Sequence, residues 1–133
     1  MDRSAVMRRV KARDTTPERA VRRLLRDQGL TGYRLDRRDL PGRPDIAFIG
    51  RRRAIFVHGC FWHGHACKRG ARAPKTNAAY WRAKIARNVA RDAEAVAALE
   101  AMGWRVLTVW ECGLRDPELA ARLRRFVLES ETD

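Results

Sequence analysis

Leu40-Pro41-Gly42-Arg43-Pro44-Asp45-Ile46-Ala47-Phe48-Ile49, followed across Gly50-Arg51-Arg52 by Arg53-Ala54-Ile55-Phe56-Val57-His58, is the stretch that decides the fold. Two prolines and a glycine within residues 40–44 suit neither helix nor ladder, so this segment reads as a turn. The runs 45–49 and 53–57 are rich in β-formers and separated by a short break, which predicts a hairpin. An antiparallel pair sets the start of one strand beside the end of its neighbour, and so brings Asp45 towards His58.

Downstream, residues 59–76 hold Gly, Pro, His and Cys without a period. Such a span is too long for a bare loop in a compact domain unless something holds it, and a bound ion would do so. Asn77 then reads as the cap of a long helix running to Met102, with Ile85, Val89, Val96 and Leu99 as its buried stripe and Gly103 as its end. Residues 104–110 form a β-rich run in which Trp104 and Trp110 read as core. Asp116-Pro117-Glu118 opens a last amphipathic helix carrying Leu123, Phe126 and Val127.

Upstream, Thr16, Pro17 and Glu18 have the character of N-cap, N1 and first-turn acid. Val21, Leu24 and Leu25 follow at helical spacing, with Gly29 as the stop. Residues 4–12 predict a short basic helix with Val6, Met7 and Val10 apolar, either packed at one end or loose until DNA orders it. The order α, α, β, β, loop, α, β, α predicts an α/β or α+β sandwich with a mixed sheet and two helices on each side. With 133 residues and no internal repeat, one domain is expected over 1–133, residues 1–14 forming a basic N-terminal arm.

Lys plus Arg number 29 against 16 Asp plus Glu, a formal charge of +13, and so large an excess on so small a body attracts polyanions, nucleic acid first among them. No apolar run approaches the ~18 residues of a membrane span. Arg3, Arg8, Arg9 and Lys11 crowd the start where a secretory h-region would lie, so a cytoplasmic protein with no membrane partner is expected. An odd number of cysteines in a reducing compartment argues against a disulfide framework. Cys60, His65, Cys67 and Cys112 would instead supply three thiolates and an imidazole, the closed tetrahedral set of a structural Zn2+ site, although buried free thiols are the plainer alternative.

If zinc takes His65, then His58 and His63 remain beside the Asp45 strand. A carboxylate suits Mg2+, and an imidazole can take a proton from water at neutral pH, which together make a phosphodiester-hydrolysing site. Taken singly, each of these residues is better read as a turn cap or a surface group; it is their combination on so basic a chain that favours the site.

Pro41-Gly42-Arg43-Pro44-Asp45, His58-Gly59-Cys60-Phe61-Trp62-His63-x-His65-x-Cys67, Lys84-Ile85-x-x-Asn88-Val89-x-Arg91-Asp92 and Gly103-Trp104-Arg105-Val106-Leu107-x-Val109-Trp110-Glu111-Cys112 strongly resemble the very short patch repair endonucleases. The likeness runs from about Met7 to the last helix. It implies a restriction-endonuclease-like fold, α/β with a mixed central sheet and a structural zinc site. It also implies an enzyme that nicks one DNA strand 5′ to the thymine of a T:G mismatch. Carried across, Asp45 would bind Mg2+, His63 would be the general base, His58 would sit beside the scissile phosphate, and Glu18 would support the waters around the metal. Cys60, His65, Cys67 and Cys112 would hold zinc. The family often has Thr at the position of Val57, which contributes its backbone carbonyl to the metal, and Gly64 replaces a frequent histidine.

Phe61 and Trp62, between a zinc ligand and the proposed base, would form an aromatic wedge at the mismatch. Pushing rings into a base stack costs a few kcal/mol, least where pairing is already weak. Trp81 would be a third ring by resemblance, and Met7 would enter from the opposite groove; ordinary packing is the alternative for both. Arg8, Arg9, Arg13, Arg37, Arg38 and Lys68 are candidate phosphate contacts, although a charge run is more often just a solvated face. A monomer suffices for a single-strand nick. Rival readings are a nickase for another mismatch or for modified DNA, a non-catalytic zinc-stabilised DNA-binding module, and a nuclease whose zinc is itself catalytic.

Overall fold

The computed structural model describes residues 16–60, 63 and 77–129. The basic arm with Met7, and the positions Phe61, Trp62, His65, Cys67 and Lys68, lie outside the described residues. The elements are α1 (Thr16–Asp27), β1 (Arg34–Leu35), β2 (Ile46–Phe48), β3 (Arg53–His58), α2 (Ala78–Ala101), β4 (Arg105–Trp110), a 3-10 turn (Glu111–Gly113) and α3 (Leu119–Leu128). One mixed sheet runs β1-β2-β3-β4. The predicted hairpin forms, with Ile46 opposite Ile55 and Phe48 opposite Arg53, while β3 and β4 are parallel from Arg53↔Arg105 to His58↔Trp110.

Two cores follow from the alternation along these strands. Ile46, Phe48, Ile55, Val57 and Val109 point to one face, where Val21 and Leu25 of α1 and Leu119, Leu123 and Val127 of α3 cover them. Ala47, Ala54 and Phe56 point to the other, where Ala95 and Leu99 of α2 pack with Leu40 and Trp104. Among the described residues the layers are therefore two helices, a sheet and one helix; the fourth helix that the sequence suggests, over residues 4–12, lies outside the described residues. The two-residue β1, extending the sheet beyond the hairpin, has no counterpart in the sequence reading.

The helix stops behave as their glycines dictate. Gly29 (φ 75°) lets Leu30 N–H reach back to Leu25 O at 2.9 Å, and Gly103 (φ 86°) lets Trp104 N–H reach Leu99 O at 3.0 Å. The start of α2 differs from expectation, because Asn77 is left-handed and makes no side-chain cap bond. Its stripe differs too, since Val89 is exposed and only Ala95 and Leu99 are buried. Gly42 explains the shift. At φ 73°, a Cβ there would collide with Ala95 Cβ and lie 3.1 Å from Phe56 Cζ, so the 40–44 turn and α2 meet through their smallest residues. No helix among the described residues is long and apolar enough to cross a membrane.

Arg53 is buried and its guanidinium is spent on carbonyls: Nε donates to Phe126 O (3.1 Å), Nη1 to Arg51 O (2.9 Å) and Nη2 to Glu129 O (2.6 Å). It thus satisfies acceptors at the C-terminal end of α3, where helical carbonyls lack partners. Arg53→Met removes a buried charged donor set and its three bonds to part-buried carbonyls, so stability should fall by ~1–3 kcal/mol. Urea unfolding checks this, and an unshifted midpoint would show the clamp to be idle.

Candidate active site

Asp45 precedes β2 and Glu18 lies on the first turn of α1, and one oxygen from each, together with one from Asp36, falls within 4.8 Å of the others. Asp45 Oδ2 accepts the Val57 N–H at 2.6 Å, a cross-strand bond that fixes the carboxyl against β3. Burial drives the Asp45 pKa up to about 7, opposed by the Val57 N–H and aided by the charges of Glu18 and Asp36 and by a hydrogen bond with Glu18. Without a cation, this carboxyl holds its proton near neutrality. Glu18 is itself buried at 3% exposure, far deeper than a first-turn surface acid would be.

His58 ends β3, and His63 comes back over it through a local turn closed by His63 N–H to Gly59 O (3.3 Å). The two imidazoles stack face to face, centroids 3.8 Å apart and planes 2° from parallel. Asp92 of α2 addresses both, at 2.6 Å from His63 Nδ1 and 3.9 Å from His58 Nδ1. The buried His58 Nδ1 has no hydrogen-bond partner among the described residues. Burial, then the neighbouring His63, lower the His58 pKa to about 4 against the pull of Asp92, so His58 is neutral at physiological pH. A carboxylate oxygen can only accept from the ring, so Asp92 favours the His63 tautomer that carries the proton on Nδ1 and turns Nε2 away from it, the arrangement that orients a base.

Both groups face one cleft of about 670 Å3, lined among others by Glu18, Asp45, Val57, His58, His63 and Glu111. Asp45, Glu18, His58, His63 and Val57 are thus brought together as the sequence reading expects. Trp81 is not among the residues lining this cleft; it lies on the first turn of α2, with Tyr80 edge-on at 5.2 Å and Lys84 Nζ 5.8 Å from its ring centre. Trp110, read as core, is only half-buried and stands edge-on to both imidazoles. Arg37, a candidate phosphate contact, is paired with Asp39 at 2.7 Å on the surface.

Two acids of the cleft were given no role in the sequence reading: Asp36, which it did not single out, and Asp92, which it quoted only within a motif. A signal for Asp92 was present: Lys84, Asn88, Arg91 and Asp92 follow i, i+4, i+7, i+8, one polar face of a helix, and all four line the cleft. For Asp36 no pattern existed, because its place depends on a left-handed backbone (φ 50°) that directs its N–H to Asp45 O at 3.3 Å.

Cys60 is wholly buried, and the exposed Cys112, just past β4, directs its N–H to Cys60 Sγ at 3.4 Å. Two of the four expected zinc ligands are therefore neighbours although 52 residues apart.

The family described as DNA mismatch endonuclease Vsr matches residues 1–69. Type II nicking enzyme V.XorIIP of Xanthomonas oryzae pv. oryzae is 52% identical over 126 residues, covering 94% of this chain and 91% of that one. DNA mismatch endonuclease Vsr of Escherichia coli K12 is 43% identical over 131 residues (94% and 83%), and type II nicking enzyme V.NmeAIP of Neisseria meningitidis 40% over 128 (96% and 90%).

Proposed function

The chain belongs to the DNA mismatch endonuclease Vsr family, and on that footing we propose that it nicks one strand of a mismatched duplex, 5′ to the thymine of a T:G pair, by magnesium-dependent hydrolysis. The observation that carries this is the convergence, in one cleft, of a carboxylate cluster with a carboxylate-held imidazole. A mixed sheet covered by helices on both faces, with its acid at a strand start, suits a restriction-endonuclease-like fold.

Asp45, with the Val57 carbonyl, would hold Mg2+. Three oxygen donors gathered within 4.8 Å, one of them resisting ionisation until a cation offsets its burial, are what a hard divalent ion selects. Bound there, the ion supplies positive charge to the phosphate oxygens. His63 Nε2 takes a proton from the attacking water as the water oxygen bonds to phosphorus. The ester P–O bond breaks, its electron pair leaving with the oxygen, which is protonated from solvent. Asp92 holds the His63 ring and its tautomer, and the neutral His58 borders the phosphate without competing for the proton. Cys60, His65, Cys67 and Cys112 would hold a structural zinc ion. Phe61 and Trp62 would press on the mismatch, with Trp81 and Met7 as further contacts. The formal charge of +13 supports binding to duplex DNA.

The decisive experiment is strand-resolved cleavage of T:G, U:G and fully paired duplexes, with and without Mg2+. The T:G strand should be nicked only with Mg2+ and the paired duplex spared. Asp92→Asn should lower the nicking rate ~10²-fold or more without lowering the Tm, because it disturbs the base rather than the fold. Cleavage that survives without added Mg2+ would favour catalytic zinc, and no nick under any condition would leave a DNA-binding module.

A further inference from the structure

Arg43 lies two residues before Asp45 and lines the cleft that holds Glu18, Asp36, Asp45, His58 and His63. An arginine beside three carboxylates ordinarily pairs with one of them. Here the Arg43 side chain makes no hydrogen bond or ion pair among the described residues, and its buried Nε meets no acceptor among them. Arg43 as a whole is half-buried, but a buried Nε–H left without an acceptor is a cost to the folded chain that a ligand reaching this donor would offset.

The backbone adds a second, independent observation. Arg43 is a non-glycine residue in the left-handed region (φ 52°), a conformation disfavoured for a side chain of this kind. It is held there from both sides. Gly42 abuts Ala95 and Phe56, Pro44 is fully buried, and Arg43 N–H closes the turn on Leu40 O at 3.1 Å. Strain retained between two such anchors, at the rim of a reaction cleft, fixes where the guanidinium begins.

We infer that Arg43 binds a non-bridging oxygen of a phosphate on the nicked strand and is a further catalytic residue of this cleft. The inference rests on the nuclease reading above. An anion with several acceptor oxygens is the ligand that a forked guanidinium fits, and the phosphate must approach Asp45 and His63 to react. As the water oxygen adds, negative charge grows on the non-bridging oxygens, and a charge already in place there stabilises the transition state more than the ground state. Its failure to pair with the carboxylates keeps it available for that oxygen and leaves the acids to the cation.

The test uses the full chain with Arg43→Asn, which tolerates the left-handed backbone, and Arg43→Lys, which keeps the charge. Readouts are the single-turnover nicking rate on a T:G duplex with Mg2+, the salt dependence of duplex binding without divalent ions, and the Tm. Arg43→Asn should leave the Tm unchanged or raised, lower the rate ~10²-fold or more, and reduce the slope of log K against log salt by about 1. Arg43→Lys should restore the slope but not the full rate, because one ammonium cannot reproduce the fork. An unchanged slope in Arg43→Asn overturns the inference whatever the rate does, as does a Tm loss that accounts for the lost activity. Should the native chain nick no duplex at all, the nuclease reading fails, while the salt slope still decides whether Arg43 meets phosphate.

Discussion

Asp45→Asn should abolish nicking, by at least ~10³-fold, and at the same time stabilise the metal-free protein. Both results come from one side chain. Asparagine is nearly the shape of the acid, can still accept the Val57 N–H and can donate to Glu18, so the fold loses nothing. What disappears is the charge that would hold the cation. The Asp45 pKa, ordinarily 3.8, stands at about 7 in the folded chain. Below pH ~4 the carboxyl is protonated in both states and contributes no penalty. As pH rises towards 7 the unfolded chain ionises freely while the folded one resists, so stability is lost across that window and stays lost above it. The Tm advantage of Asp45→Asn should therefore be near zero at pH 4 and full at pH 8 without divalent ions. Scanning calorimetry at the two pH values, with nicking assays alongside, checks it. A variant that cuts normally removes Asp45 from the chemistry, and one less stable at pH 8 removes the burial argument.

Zinc extraction should have the largest effect on the fold. A site of this type is worth ~10–16 kcal/mol of apparent free energy, as much as the ~5–15 kcal/mol that keeps a whole domain folded. Cys60 belongs to the buried interior and Cys112 follows β4, so an ion shared between them would tie the strand end to the loop that presents His63. Chelation should release one zinc per chain, lower the Tm sharply and stop nicking, with Cys112→Ser behaving alike. Metal analysis of the purified chain is the direct check, and absence of zinc, or a Tm indifferent to chelator, would leave two adjacent free thiols.

Legibility in the sequence followed how local each signal was. The Thr16-Pro17 start, the Gly29 and Gly103 stops and the hairpin are encoded by residues within a few positions of one another, and all appear in the structure. The buried face of α2 was misread because Ile85, Val89 and Val96 outrank Ala95 in apolarity, yet the approach of Gly42 makes an alanine the contact. Asp45, His58 and His63 were visible because strand ends place them. Asp92 was read only as part of a resemblance, since a carboxylate on a helix rich in arginine looks solvated until the fold lays it against two imidazoles.

The meeting of Gly42 with Ala95 limits how this lineage can drift. Glycine and alanine are already the two lightest residues, so a gain of bulk on one side has almost no room for compensation on the other. Asp45 hangs from the turn on one side of that meeting and Asp92 from the helix on the other, so the gauge of the cleft between them is set by a contact with no spare thickness.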